Sequence, residues 1–472
     1  MEKIPSYKLK QADSEKLVEM AKTQPELAMP EKHPQFTAEF LSKIGIDWNP
    51  EKAGKGFIKL FWFDFIVEEI TQDNRIVDIS PDEINLPEEF SNTRPQTAAD
   101  LVKQGMDTFE ATERIAEALG ISAAEIKTAG LKDSRALTAQ EISISGVLPE
   151  KAKTINIPNI FLKNIRQRKG VIETGNLWGN KFTIFVRCDK KDNQKVNEKI
   201  NALRAEGFYN FFSLQRFGSR LINTELGRLI LQAEFEQAVK MFLTAQVPDE
   251  ILILKNIRAE VEQYWGDWEK MRQVFITLPY FFRYEIAVLD SLIENNDKYL
   301  IGLKAIENQT KLFAYSYASF WFNKLLSSYI ISNHPLPESL PILANVPEVK
   351  KLYEKIIPKD EMDSLVLDLE ALEFLRMNKI RQMPTKIMPK IHQVLSLPTG
   401  YIFCFSLNKG AYATTFLANF FDLYQGQPVP DWVDKNRYNI KASLNETPVK
   451  KTCEKFPQEE IETGVDLVEE LE

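Results

Sequence analysis

Cysteine and histidine are scarce in this 472-residue chain, with three of each: Cys188, Cys404 and Cys453, and His33, His334 and His392. They are dispersed and form no C-x-x-C pair, which excludes a disulfide framework, fits a reducing compartment and argues against a His/Cys metal centre. No apolar run approaches the roughly 18 to 20 residues a membrane span requires. The start, M-E-K-I-P-S-Y-K-L-K-Q, lacks the apolar stretch of a secretory signal, so the expectation is a cytoplasmic protein with no membrane partner. Also missing are G-x-G-x-x-G on a strand-to-helix turn, G-x-x-x-x-G-K-[ST], G-x-S-x-G and H-E-x-x-H. Nucleotide hydrolysis, Rossmann redox chemistry and zinc-dependent deamination lose their main support with them.

The net charge of −8 at first argues against a polyanionic partner. Yet seven acids and no base lie in the 16 residues from Pro457 to Glu472, and removing those seven from −8 leaves −1. A nearly neutral body can carry a basic face, and local charge governs steering toward nucleic acid. The tail itself reads as a solvated end. At this length two or three domains are expected, each able to bury its own core.

Residues 1–35 are polar and carry Pro5, Pro25, Pro30 and Pro34, which suggests helical fragments and loop outside the main core. From Gly56 the run F-I-K-L-F-W-F-D-F-I-V-E-E-I is β-rich, with Phe65, Val67 and Glu69 on one face. Asp107 with Glu110 forms a helix start, Ile115 and Leu119 share a face, and Gly120 supplies the stop. Alternation predicts strands at 141–145, 180–187 and 401–407, and Val196, Ile200 and Leu203 form a helical stripe ending at Gly207. Residues 230–385 read as long amphipathic helices, Leu312 to Ile331 among them. The fold class is therefore α+β with a central antiparallel sheet, interrupted by a mainly helical insertion. The expected boundaries are 36–232 with 386–456 for the sheet domain, 233–385 for the insertion and 457–472 for the tail.

Two segments stand out. T-A-G-L-K-D-S-R-A-L-T-A-Q, residues 128–140, places Asp133 in a turn between Lys132 and Arg135. N-F-F-S-L-Q-R-F-G, residues 210–218, interleaves rings with Asn210, Gln215 and Arg216. An acid in such a turn is ordinarily a cap, and clustered phenylalanines are ordinarily core. A carboxylate beside an aromatic, hydrogen-bonding cradle is also what chemistry on a flipped nucleobase requires. Two acid-free basic stretches, residues 163–169 and 376–390, read as solvated surface or as phosphate contacts.

These segments resemble the TruD family of tRNA pseudouridine synthases. The matching pieces occur in family order: G-x-G-F-I-K with D-F-I-V-E-E-I at 54–70, L-V-K-Q-G-M-D-T at 101–108 and A-G-L-K-D-S-R-A-L-T-A-Q at 129–140. G-N-L-W-G-N-K-F at 175–182, N-F-F-S-L-Q-R-F-G at 210–218, A-Y-S-Y-A-S-F-W-F-N at 314–323 and F-S-L-N-K-G-A-Y-A-T at 405–414 complete the series. The resemblance implies a pseudouridine synthase domain with an inserted helical domain. It places the family's catalytic aspartate on Asp133 and its substrate-pocket residues on Lys59, Phe65, Asn210, Phe212 and Tyr412. RNA contacts are expected at Lys132, Arg135, Arg166, Arg168 and Arg216. No cofactor and no metal are expected, because the isomerisation leaves redox state unchanged. The implied partner is tRNA, with other structured RNA as a further target, and the protein is expected to be a monomer. The chain departs from the family at Ser213, where glycine is usual, at Asn419, where arginine is common, and after Asn323, where L-S-S-Y lacks a common arginine.

Three functions follow as hypotheses. The first is a tRNA pseudouridine synthase acting at the family's position 13 in the D-stem region. The second is an RNA-binding or chaperone protein of the same fold in which catalysis is secondary. The third is a nucleoside glycosidase, which needs a second acid, and Glu141 is the candidate near the Asp133 motif.

Overall fold

The computed structural model describes residues 4–24, 38–90, 94–248, 250–426 and 428–456. The acidic tail 457–472 and Pro25, Pro30 and Pro34 lie outside the described residues. The chain falls into two compact units. The first holds Lys52–Phe208 and the described residues up to Lys8 and from Met388 on; the second holds Tyr209–Ile387 and the described residues of Leu9–Glu51. Compactness thus parts the chain at 208/209 and 387/388, whereas the sequence-based boundaries, 232/233 and 385/386, stand as a domain proposal.

The first unit is built on a sheet whose strands, in chain order, begin β1 Lys55–Phe57, β2 Phe65–Ile70, β3 Ile76–Val77, β4 Gln96–Gln104 and β5 Ile126–Thr128. They continue as β6 Leu137–Ser145, β7 Ile160–Gln167 and β8 Gly179–Cys188, then Lys390–Leu397 and Gly400–Asn408. The main path runs Lys390–Leu397, Gly400–Asn408, β8, β2, β6, β4, β7. It is antiparallel at most pairs, but β2 and β6 are parallel, with Val67 opposite Thr138, and β1 is parallel to Asp422–Tyr424. The sheet is therefore mixed, which corrects the expected antiparallel one. A parallel pair needs a long crossover. Here the crossover carries β4 and a helix, so no simple βαβ rhythm was visible in the sequence.

Residues Thr108–Leu119 form a helix as the spacing predicts. Asp107 accepts from the Glu110 N–H at its start, and Gly120 ends it at φ +64°, a left-handed conformation that favours glycine. Val196, Ile200 and Leu203 are the buried face of Asn193–Glu206. Strand β2 is covered on both faces, and alternation sends its adjacent acids in opposite directions. Glu69 meets Lys132, and Glu68 meets Lys441.

The second unit is mainly helical. Its centre is Glu307–Ile331, which buries Phe313, Tyr317, Ala318, Trp321, Phe322 and Leu326 around its circumference. It is a core helix rather than the amphipathic one expected. Asn223–Leu231 packs against it so closely that a Cβ on Gly227 would lie 2.1 Å from the Phe313 carbonyl oxygen. The N-terminal segment also departs from expectation. Instead of fragments outside the core, Ser6–Thr23 is one helix. Within this unit its Asp13 accepts from the backbone N–H groups of Tyr280 and Phe281, and Leu17 is buried. Among the described residues no helix is long and apolar enough to cross a membrane.

Candidate active site

Asp133 sits on the loop between β5 and β6. Its carboxylate Oδ1 accepts from Lys59 Nζ at 2.8 Å, with the two side chains 23% and 11% exposed respectively. Lys59 occupies left-handed backbone, φ +58°, a conformation that costs a side-chain-bearing residue on the order of 1–3 kcal/mol. Its ammonium also lies 4.3 Å from the centroid of the Phe65 ring. Lys59, Phe65 and Asp133 are thus brought together. Burial pushes the Asp133 carboxyl up, but the ammonium groups of Lys59, Lys103 and Lys132 outweigh it and hold the group below the ordinary carboxylate value.

The loop is anchored from several elements. The Lys132 N–H donates to Thr108 Oγ1 (2.9 Å), Thr108 donates to Gln140 Oε1 (3.0 Å), and Gln140 Nε2 donates to the Gly130 carbonyl (3.0 Å). Lys132 Nζ bonds Glu69 Oε2 at 2.7 Å, with side chains 2% and 1% exposed. That burial corrects the expected RNA contact at Lys132, whose ammonium is held in the protein interior. Arg135, on the same loop, is half-buried. Glu69, Lys103, Thr108 and Gln140 all lie inside motifs visible in the sequence, but the partners they bond become apparent only in the folded chain.

In the basic stretch 163–169, Lys169 is exposed, but the other three cations turn to partners within the protein. Lys163 bonds Asp78 and the Ser80 carbonyl, while Arg166 and Arg168 turn to Glu141, which Arg75 also engages. Glu141, the second acid a glycosidase would need, is therefore held by three guanidinium groups. In the stretch 376–390, by contrast, Arg376, Lys379, Arg381 and Lys390 are exposed. Tyr412 is half-buried in the first unit, where it precedes the short helix Ala413–Leu417.

Asn210, Phe212 and Arg216 belong to the second unit. Asn210 is buried, and its Nδ2 donates to the Pro384 carbonyl at 2.9 Å. Phe212 is also buried. Its ring meets Phe322 edge-on at 5.3 Å, and the Arg216 guanidinium lies 5.2 Å from its centroid. Asn323 brackets the Phe212 backbone: its Oδ1 accepts the Phe212 N–H, and its Nδ2 donates to the carbonyls of Phe212 and Ile44. Asn323→Leu leaves these buried backbone groups unsatisfied, at about 1–3 kcal/mol each. The variant is expected to lose at least about 2 kcal/mol in urea unfolding, and an unchanged midpoint contradicts that role for Asn323.

The departures at Ser213 and Asn419 have local explanations. Ser213 has φ −96° and ψ 179°, extended backbone that does not call for glycine. Asn419 Nδ2 donates to the carbonyls of Thr415 and Phe416, at the end of the short helix Ala413–Leu417 that precedes it. Among the described residues no group of three or more His, Cys, Asp or Glu is arranged to hold a metal ion.

The family model described as tRNA pseudouridine synthase D (TruD) matches residues 51–341. A protein of Archaeoglobus fulgidus named probable tRNA pseudouridine synthase D is 31% identical over 428 residues, covering 80% of this chain and 98% of the relative. One of the same name from Methanopyrus kandleri is 29% identical over 352 residues, covering 70% of this chain and 86% of the relative. A crystal structure from Methanosarcina mazei carrying the TruD name superposes with a TM-score of 0.57 at 24% identity, covering 80% of this chain and 97% of that one. That last likeness is one of fold.

Proposed function

The chain belongs to the TruD family of tRNA pseudouridine synthases, and from that premise we propose that it converts uridine 13 of the tRNA D-stem region to pseudouridine, with Asp133 as the reacting carboxylate. The activity is an isomerisation of a tRNA uridine. The N1–C1′ bond breaks, the detached uracil turns, and C5 joins C1′. The C5 proton is lost and N1 gains one, so atoms and electrons balance within the nucleoside.

The observation that carries this reading is the Lys59–Asp133 ion pair. Addition of a carboxylate to C6 of the base and assistance at the ribose through a glycal-type intermediate both begin from an ionised acid, and three lysines favour that state. Phe65, buried with the Lys59 ammonium over its ring, is the aromatic partner proposed for a pyrimidine that leaves the RNA stack. Tyr412 of the first unit and, separately, Asn210 and Phe212 of the second unit are proposed substrate contacts, and Arg135 and Arg216 proposed RNA contacts. We further propose that the protein acts as a monomer in the cytoplasm, that structured RNAs besides tRNA are substrates, and that residues 36–232 with 386–456 form the catalytic domain around an insertion at 233–385.

Incubation with unmodified tRNA transcript, followed by carbodiimide labelling and primer extension, is expected to give one strong stop at uridine 13. Modification at another position, or none, removes the assignment.

A further inference from the structure

Helix Thr108–Leu119 buries Ala111, Ile115, Ala116 and Leu119 in one core cluster with Leu101 and Ile142 of the sheet. Phe109 lies off that face. A spacing of four puts it in line with Glu113 and Glu117, whose carboxylates are engaged by Ser6 and Lys8. Phe109 is 63% exposed, and so is Leu131 on the Asp133 loop. One apolar residue exposed by itself is ordinary. These two stand at one place. The Lys132 N–H donates to Thr108 Oγ1 at 2.9 Å, and each apolar residue is the chain neighbour of one partner in that bond.

The backbone that presents them is fixed. On one side of Leu131 the Gly130 carbonyl accepts from Gln140 Nε2, and on the other the Lys132 N–H is held by Thr108. Thr108 in turn donates to Gln140, so loop, helix and β6 are tied by one series of hydrogen bonds. Lys132 Nζ anchors the loop in the interior on Glu69. Asp133 is the second residue after Leu131. A pinned loop that keeps large apolar side chains in water beside a reacting carboxylate calls for an apolar partner that arrives with the substrate. On an RNA the apolar surfaces are the faces of its bases. A uridine in a stem is paired and stacked, so it must be extruded before it reacts, and apolar side chains are the groups that part a base step.

We infer that Phe109 and Leu131 form an apolar wedge that enters the RNA stack beside the target uridine and fills the space the flipped base leaves. Phe109 supplies a ring on which the neighbouring base stacks, and Leu131 supplies bulk next to the reacting carboxylate. Their contribution falls on extrusion, which precedes bond making, so it disappears when the target is already unpaired. The inference rests on Asp133 being the reacting carboxylate and on the target being a stem uridine.

The test compares the full chain with a Phe109→Ala, Leu131→Ala double variant on two RNAs. One is tRNA with uridine 13 paired; the other is the same tRNA with an abasic nucleotide facing uridine 13. The double variant is expected to lose about 30-fold in single-turnover rate on the paired tRNA and only about threefold on the abasic one. Phe109→Leu with Leu131→Met keeps apolar bulk and should stay within about threefold of wild type on both. Equal losses on the two RNAs overturn the inference, as does a loss in the Leu/Met pair as large as in the alanine pair. If the alanine pair fails to fold, Phe109→Gln with Leu131→Gln takes its place, with the same outcomes deciding. A second readout needs no turnover: 2-aminopurine facing uridine 13 brightens when the uridine leaves the stack. The alanine pair at saturation should give at most about half the wild-type rise. Should wild type modify no tRNA, a rise that falls in the variant still supports the wedge, while an equal rise, or none in wild type, refutes it.

Discussion

Asp133→Asn is expected to lower single-turnover pseudouridine formation by at least about 10³-fold while leaving tRNA binding largely intact. The amide nearly matches the carboxylate in size but can neither attack a carbon nor carry the negative charge that the lysines stabilise. Lys59 then faces a neutral oxygen at a site where its own side chain is 11% exposed. The wild-type carboxyl is held below its ordinary value, so its contribution to stability is fully present above that ordinary value and is lost as pH falls through the lowered one. The melting difference between wild type and Asp133→Asn should accordingly be largest near neutral pH and vanish in strong acid. A variant that retains activity within tenfold of wild type would falsify the role assigned to Asp133.

The largest effect on stability is expected at Arg187. This guanidinium is buried, donates to Asp64 Oδ2 through Nε and Nη2, and holds the carbonyls of Asp434 and Asn436 through Nη1. It also lies 4.7 Å from the centroid of the Phe185 ring. One side chain thus ties β8 to the segment before β2 and to the chain around residues 434–436. Arg187→Met leaves a buried carboxylate and two carbonyls without their donor, and is expected to cost about 3–5 kcal/mol in urea unfolding. Burial already pushes the Asp64 carboxyl up to about 6, against the pull of Arg187. An acid whose folded value is raised binds its proton more tightly in the native state, so its effect on stability becomes less favourable as pH rises through that range. Without Arg187 the rise is steeper. The variant should therefore be more destabilised at pH 8 than at pH 5.5, and adding Asp64→Leu should restore part of the loss. A single variant within about 1 kcal/mol of wild type contradicts this role for Arg187.

Elements that depend on neighbours close along the chain were legible in the amino-acid sequence alone. Asp107 and Gly120 bound a helix, the 196/200/203 stripe faces the core, and alternation at 401–407 falls within a strand. In each case the deciding contacts lie within one or two turns or along one extended segment. Charge was harder to read. Lys132 beside the acid, and Arg166 and Arg168 in a run without acids, looked available to phosphate. Their partners are Glu69, 63 positions from Lys132, and Glu141, 25 positions from Arg166. The same holds for Asn323, whose bonds to Phe212 span 111 positions and which a helical motif shows merely as one polar residue on a turn.

By itself the sequence determined the family and the class of reaction, and singled out Asp133 as the candidate carboxylate, because ordered motifs and local periodicity can be read along the chain without long-range contacts. Tertiary structure decided which charges are spent inside the protein. An ion pair is an interaction through space whose strength depends on burial. The sheet sets that burial when it places Lys59 2.8 Å from Asp133 and buries Lys103 and Lys132 on the protein side of the loop.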